Sequence, residues 1–153
     1  MKQRALIAQA LLNDPKILIL DEPTAGLDPK ERIRIRNFIS EIAEDKIVLI
    51  STHVVSDIEF IAKEIILLKQ GKLVSHDACN NLTKAIENKV FEMEIEKEKL
   101  KYFQDNYRVS NLYHNDDRII VRLVTDNPPE NCKMNQVKPT LEDLYLYVFE
   151  NGK

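Results

Sequence analysis

Glycine is scarce in this chain, and its scarcity excludes one kind of phosphate-binding site. The sequence has only three glycines, Gly26, Gly71 and Gly152. A phosphate-binding loop of the pattern G-x-x-x-x-G-K-[ST] needs two of them close together, because its backbone N–H groups cradle phosphates that its Lys also reaches. Gly71 and Gly152 are each followed by Lys, but Leu73 comes after the first pair and the second pair ends the sequence. The sequence therefore contains no such loop.

Cysteine is scarce as well, and the sequence has no long apolar run. Cys79 and Cys132 lie far apart and have no C-x-x-C or His-spaced companion, which favours two reduced thiols over a disulfide or a zinc site. The apolar runs are strand-sized, well short of the roughly 20 residues that span a bilayer. The N-terminus also lacks the charged-then-apolar pattern of a signal peptide. We therefore expect a cytoplasmic chain that associates with a membrane only through a partner.

Neither sign of charge is in large excess. The 153 residues carry a net charge of −3, and 44% of them are hydrophobic and 31% charged. This balance is typical of one ordinary globular domain. Because it offers no basic excess, we expect no nucleic-acid partner.

The most informative segment, residues 17–23, reads I-L-I-L-D-E-P. Four apolar residues without alternation predict a strand covered on both faces in a parallel sheet, and ligands bind beyond the carboxyl ends of such strands. Asp21 and Glu22 stand at that end. Phosphoryl transfer from ATP needs Mg²⁺ and a group that orients the attacking water, so one acid can serve the metal and its neighbour the water. A buried strand followed by an acidic turn is the alternative, and this segment alone leaves both open.

Two further motifs follow in order along the chain. Residues 24–29 read T-A-G-L-D-P, and S-T-H at 51–53 ends the apolar run 47–50. Together with M-K-Q-R at 1–4, they closely resemble the second half of an ATP-binding-cassette (ABC) ATPase. The resemblance implies an α/β fold, a partial P-loop NTPase core of the RecA-like ABC ATPase type with parallel strands and flanking helices, followed by a small C-terminal α+β extension.

The resemblance also implies roles for individual residues. Asp21, in the Walker B strand, would serve Mg²⁺ and Glu22 would polarise the attacking water, while His53 would sense the γ-phosphate of ATP. The D-loop would touch the partner subunit; its residues, which with Asp21 make up the expected cofactor-binding set, are Ala25, Gly26, Leu27 and Asp28. The implied cofactors are ATP and Mg²⁺. The implied partners are a second ATPase subunit in a head-to-tail dimer and the permease that would hold this dimer at the inner face of the cell membrane.

In the family, a signature motif such as L-S-G-G-Q directly precedes a stretch like M-K-Q-R, so we expect the chain to start immediately after it. The family's Walker A strand, which would join the strand at 47–50 to a later strand at 65–68, is expected to be missing too. Without it the sheet would be split and 47–50 would present an open apolar edge. The isolated chain is therefore expected to be poorly soluble or partly molten and inactive as an ATPase.

Local patterns predict the remaining elements. Residues 2–12 form an Ala- and Leu-rich helix, and Asp28 caps the next one in a capping box with Glu31. This second helix is predicted to bury one face and to leave its three arginines in solvent. The predicted core face consists of Ile35, Phe38, Ile39 and Ile42, and the solvated face of Arg32, Arg34 and Arg36.

We expect residues 1–79 to form the C-terminal part of the nucleotide-binding domain and 80–153 to form the extension. A turn at Gln70-Gly71 predicts a hairpin, and alternating stretches at 90–95 and 119–124 predict strands. Thr140 and Asp143 predict a capping pair for a last helix with one apolar face. That face consists of Leu141, Leu144, Tyr145 and Val148. The ending P-T-L-E-D-L at 139–144 resembles the extensions of bacterial export-type ABC ATPases.

Two alternatives remain open. ABC-type ATPases of DNA repair share the L-D-E-P and D-loop motifs, but they carry long coiled coils and no sustained heptads occur here. The second alternative is a non-catalytic remnant, or a split half that works only with its missing N-terminal half.

Overall fold

The computed structural model describes residues 2–115, 118–129 and 132–150. The chain divides into two compact units, 1–62 and 63–153. The domain division at residue 79, which rests on family motifs, stays a prediction; packing separates the chain after Ala62.

The first unit alternates helices and strands. Its elements are α1 (Lys2–Leu11), β1 (Ile17–Asp21), α2 (Pro29–Ile42), β2 (Ile47–Ser51) and α3 (Val55–Ile61). The two strands are parallel and in register from Ile17 opposite Ile47 to Asp21 opposite Ser51. The predicted helices, strands and parallel pairing in this unit are confirmed.

Only one face of this two-stranded sheet is covered by the first unit. Leu18 and Leu20 are buried and pack in one cluster with Ile7 of α1 and with Ile35 and Ile39 of α2. The opposite face is bare: Ile17, Ile19, Ile47 and Leu49 are 58%, 70%, 66% and 51% exposed. The prediction of a strand covered on both faces is thus wrong for this unit, because the second face meets no apolar partner within it.

Helix α2 begins as predicted, with the Asp28 side chain accepting a hydrogen bond from the Glu31 N–H at 2.9 Å. Its arginine face differs from the prediction. Arg32 and Arg36 lie 3.6 Å and 3.4 Å from the buried carboxylate of Asp57 on α3. Phe38, expected in the core, is 39% exposed. Arg32 and Arg36 differ from the prediction because α3 packs beside α2 and places the Asp57 carboxylate next to both guanidinium groups.

The second unit contains a hairpin and a four-stranded sheet. Its strands are β3 (Ile65–Lys69), β4 (Lys72–Asp77), β5 (Val90–Glu96), β6 (Arg108–Asn115), β7 (Arg118–Val124) and β8 (Met134–Gln136), and its helices are α4 (Cys79–Lys84), α5 (Leu100–Asn106) and α6 (Leu141–Phe149). The sheet is antiparallel in the order β6-β7-β5-β8. The predicted strands at 90–95 and 119–124 are therefore confirmed, and the structure pairs them with each other.

The predicted hairpin turn is also confirmed. β3 and β4 pair antiparallel, and the two residues between them, Gln70 and Gly71, have φ angles of 51° and 74°. Positive φ at both central residues is typical of the type I′ turn, whose twist matches that of the strands. β3 pairs with β4 alone and β1 with β2 alone, so the described strands form split sheets as expected.

Helix α6 is tied to the sheet by a buried ion pair. The predicted capping box is present, with Thr140 and Asp143 each bonding the other's backbone. Asp143 also accepts from the Arg122 guanidinium on β7, at 2.8 Å from Nη2. Tyr145, expected on the core face, is 42% exposed.

None of the described helices has the length and apolar character needed to cross a membrane.

Candidate active site at the ends of two parallel strands

The register of β1 and β2 brings the L-D-E-P motif and the S-T-H motif together. Asp21 and Ser51 are opposite one another at the carboxyl ends of the strands, and the Ser51 hydroxyl donates a hydrogen bond to Asp21 Oδ1 at 2.9 Å. Glu22 follows Asp21, and Thr52 and His53 follow Ser51. Because both strands end at the same edge, residues 30 positions apart in sequence form one cluster.

Glu22 adopts an unusual backbone conformation, with a φ angle of 47°. For a residue other than glycine, this left-handed region costs about 1–3 kcal/mol and persists only where surrounding contacts hold it. The Glu22 N–H donates to the Ser51 carbonyl at 2.8 Å, and the Glu22 carbonyl accepts from Gln3 Nε2 at 3.3 Å and from the Ala25 N–H at 3.2 Å. The conformation is thus fixed from α1, from β2 and from the following turn.

The Glu22 carboxylate accepts hydrogen bonds on both oxygens. The Thr52 hydroxyl donates to Oε2 at 2.8 Å, and the His53 backbone N–H donates to Oε1 at 2.9 Å. His53 Nδ1 lies 2.6 Å from the same Oε1. Since an ionised carboxylate only accepts, this contact places a proton on Nδ1. Nε2 is then an acceptor in the neutral ring and a donor to a ligand only in the doubly protonated ring. The His53 side chain is 79% exposed, so solvent and ligands can reach it.

These contacts set the charge of Glu22. Burial tends to raise the pKa of its carboxyl, but the hydrogen bonds from His53 and Thr52 outweigh burial, and the pKa lies below its usual value. Glu22 is therefore an anion at neutral pH, the form that a proton acceptor needs.

A tight turn connects Glu22 to α2. The Leu27 N–H donates to the Thr24 carbonyl at 3.4 Å, and Gly26 has a φ angle of 70°, which favours glycine. Leu27 packs against the core of the first unit, whereas Gly26 and Asp28 are exposed. Residues 25–28, called the ridge below, are thus anchored to the core by Leu27 and exposed at Gly26 and Asp28, next to the carboxylates of Asp21 and Glu22.

Comparisons with known proteins identify the family of this chain. The sequence profile of the family described as "ABC transporter" matches residues 1–25. The "uncharacterized ABC transporter ATP-binding protein YxlF" of Bacillus subtilis (strain 168) is 31% identical over 97% of this chain and 55% of its own length. The chain belongs to the ABC transporter ATP-binding family. Its fold is accordingly that of part of the family's P-loop NTPase domain.

Other members of the ABC transporter ATP-binding family match more briefly. The "uncharacterized ABC transporter ATP-binding protein YdbJ" of Bacillus subtilis (strain 168) is 33% identical over 85% of this chain and 42% of its own length. The "lantibiotic transport ATP-binding protein SrtF" of Streptococcus pyogenes is 39% identical over 59% of this chain and 41% of its own length. The chain thus spans about half the length of the curated relatives it matches.

Proteins of the ABC transporter ATP-binding family bind ATP with Mg²⁺, and the carboxylates here fit that pair. Asp21 is exposed and has one oxygen, Oδ2, outside its hydrogen bond to Ser51. Across residues 2–115, 118–129 and 132–150, no three His, Cys, Asp or Glu side chains group as a complete metal site. A single carboxylate suffices for Mg²⁺, which in nucleotide sites takes its other ligands from phosphates and water.

Three residues with structural roles in the first unit are not assigned a role by the sequence patterns. Gln3 and Thr52 hydrogen-bond Glu22, and both stand inside the M-K-Q-R and S-T-H motifs. The third, Asp57, joins α3 to α2 away from this cluster. Thr52 directly precedes His53, and that adjacency is the one signal that pointed to it. Asp57 has no local signal, since its partners Arg32 and Arg36 belong to another helix.

Proposed function

We propose that the chain supplies the catalytic acid, the magnesium-binding acid and the switch histidine of the ATP-hydrolysing subunit of a bacterial export-type ABC transporter. The observation that carries the proposal is the Glu22 carboxylate, held at the strand ends by Thr52 and His53. Ionised, oriented and next to an exposed imidazole, it has what a base for an attacking water needs.

Each residue has one task in this scheme. Glu22 polarises the attacking water and accepts its proton. His53, with its Nδ1–H held by Glu22, takes a second proton on Nε2 and donates from there to a γ-phosphate oxygen. Asp21 holds Mg²⁺, directly or through water, and that ion when bound neutralises charge on the β- and γ-oxygens. Ala25, Gly26, Leu27 and Asp28 form the ridge that meets the second ATPase subunit.

The phosphate-binding loop is contributed by a polypeptide segment outside this sequence. The bare apolar face of the first unit supports this step. Ile17, Ile19, Ile47 and Leu49 lie side by side on two paired strands, and an exposed face of this kind is a surface for further polypeptide. The relatives contain about as much chain again as the part that matches here. Completed in this way, the subunit works at the inner face of the membrane with its permease.

The export assignment rests on two features. The ending P-T-L-E-D-L, residues 139–144, forms the capped start of α6, and one relative carries the name of a lantibiotic transport protein. A non-catalytic remnant is the competing function, favoured by the absence of a phosphate loop from the sequence.

The test is complementation. The purified chain is mixed with the portion of the YxlF protein outside the matched region, and phosphate release from ATP is measured. We expect no turnover by the chain alone, turnover by the mixture, and a loss of about 10²- to 10⁴-fold with Glu22→Gln, the usual contribution of a general base. His76→Ala is the matched control, because His76 lies on β4 and pairs with Glu64. Turnover that survives Glu22→Gln would assign the base elsewhere, and a mixture that binds but never hydrolyses would favour the remnant.

A further inference from the structure

The hydroxyl of Thr52 makes two hydrogen bonds at the centre of the site. It donates to Glu22 Oε2 at 2.8 Å and accepts from the Val54 N–H at 3.0 Å. The first bond fixes the carboxylate of the proposed base, and the second fixes the chain on the far side of His53. One hydroxyl therefore ties together the segments before and after the switch histidine.

The Thr52 hydroxyl affects His53 through the position of the Glu22 carboxylate. The ring nitrogen Nδ1 meets Glu22 Oε1, the oxygen that Thr52 does not contact. Rotation of the Glu22 carboxylate moves both oxygens together, so a donor on Oε2 determines where Oε1 lies. In addition, the Thr52 bond to Val54 curves the backbone so that the His53 N–H also reaches Oε1, at 2.9 Å.

We propose that Thr52 is a positioning residue, whose hydroxyl orients the Glu22 carboxylate and thereby selects the ring tautomer of His53 in which Nδ1 carries the proton. The importance of this tautomer for catalysis rests on the proposed function. The presence of the tautomer in the folded chain does not depend on that function. A hydroxyl-bearing residue is required at position 52, and a methyl group of the same shape does not replace it.

The chain offers sharp variants for this test. Thr52→Val keeps the shape of the side chain and removes the hydroxyl, whereas Thr52→Ser keeps the hydroxyl and removes a methyl group. His76 is an internal reference, because its contact to Glu64, at 3.0 Å, is made by Nε2 and lies in the second unit.

The measurement is two-dimensional NMR of ¹⁵N-labelled histidine rings in the full chain, at about pH 8, where histidine rings are ordinarily neutral. We expect His53 to hold its proton on Nδ1 in the wild type and in Thr52→Ser. In Thr52→Val the ratio of Nδ1-protonated to Nε2-protonated rings falls about tenfold, the order expected for loss of one hydrogen bond. The His76 ring stays unchanged in all variants.

Two results overturn the proposal. One is a wild-type His53 ring protonated on Nε2, which needs no variant to observe. The other is a Thr52→Val protein whose first unit is folded, as shown by unchanged backbone amide signals of α1 and α2, and which has the wild-type His53 ratio. If Thr52→Val fails to fold, Thr52→Ala tests the same link, because it also removes the hydroxyl; a folded Thr52→Ala protein with the wild-type His53 ratio equally overturns the proposal. None of these spectra involves nucleotide, so a failure of the proposed ATPase activity leaves their outcome unaffected.

In the complemented mixture the same variants separate positioning from stability. Thr52→Val is expected to lower kcat while leaving KM for ATP unchanged, and Thr52→Ser to restore kcat. A change in KM alone would contradict a role through Glu22.

Discussion

The buried ion pair of the second unit yields a prediction whose size follows from the structure. The Asp143 side chain is 1% exposed and that of Arg122 is 11% exposed. Asp143 accepts from Arg122 Nη2 at 2.8 Å, from the Thr140 N–H at 2.8 Å and from the Thr140 hydroxyl at 2.9 Å. The substitution Asp143→Asn keeps the shape but removes the charge, and it turns one acceptor into a donor facing the guanidinium.

The expected cost is about 3 kcal/mol, the low end of the range for breaking a buried ion pair by removing one partner. The low end applies because Arg122 keeps Glu92 at 2.8 Å and the Lys138 carbonyl at 2.7 Å. Asp126→Asn is the matched control. Its carboxylate also pairs with a cation, Lys89 at 2.7 Å, but the side chain is 51% exposed, so its loss costs less than about 1 kcal/mol.

The assay is urea unfolding followed by tyrosine fluorescence. The chain has no Trp, and all five of its Tyr lie within residues 63–153, so the signal reports on the second unit. Asp143→Asn is expected to lower the free energy of unfolding far more than Asp126→Asn. Equal effects of the two substitutions would refute the assignment of Asp143 and Arg122 as the anchor of α6.

The same pair predicts a pH dependence with a definite sign. Burial tends to raise the pKa of the Asp143 carboxyl, but the hydrogen bonds from Arg122 and Ser110 lower it by more than burial raises it. The folded-state pKa therefore lies below the unfolded value of 3.8. The stability contributed by this carboxylate is therefore complete above about pH 4 and is lost as the pH falls through the folded-state pKa. The difference between wild type and Asp143→Asn must shrink below pH 4; a constant difference would contradict the pKa direction.

Two further predictions concern the first unit. Replacing Ile19 and Leu49 on the bare face with Thr is expected to reduce self-association, measured by sedimentation velocity, at a stability cost within about 0.5 kcal/mol, as for exposed sites. The control Leu18→Thr, on the buried face, must destabilise the unit. Unchanged self-association would show that the bare face is not the surface through which the chains associate. Asp57→Asn is expected to speed amide hydrogen exchange throughout α3, because Arg32 and Arg36 lose their shared carboxylate. Glu31→Gln, which affects the partially exposed partner of Arg34, must leave exchange in α3 unchanged.

The site was predictable because its parts stand at the ends of strands. Apolar runs predicted β1 and β2, and parallel strands of equal length carry whatever follows them to one edge. Asp21, Glu22 and His53 therefore meet as expected, and Asp28 caps α2 as its neighbours indicated. The roles of these residues in ATP hydrolysis stay predictions until the complementation experiment is done.

What the sequence could not predict depends on contacts between distant elements. An apolar run reports that a strand can be covered on two faces, not that both covers are present, so the exposure of Ile19 was missed. Arg32 and Arg36 resemble a solvated helix face until α3 places Asp57 between them. The carboxylate lies 21 positions from Arg36, a separation at which local patterns carry no information.

The left-handed backbone of Glu22 shows which elements hold the candidate site in place. A left-handed φ at a non-glycine residue relaxes unless other contacts oppose it. Three segments oppose it here, since Gln3 of α1, Ser51 of β2 and Ala25 of the turn all bond the Glu22 backbone. Each of these contacts lies within the first unit. The orientation of Glu22, the proposed base, therefore depends on the packing of α1 and β2 around β1.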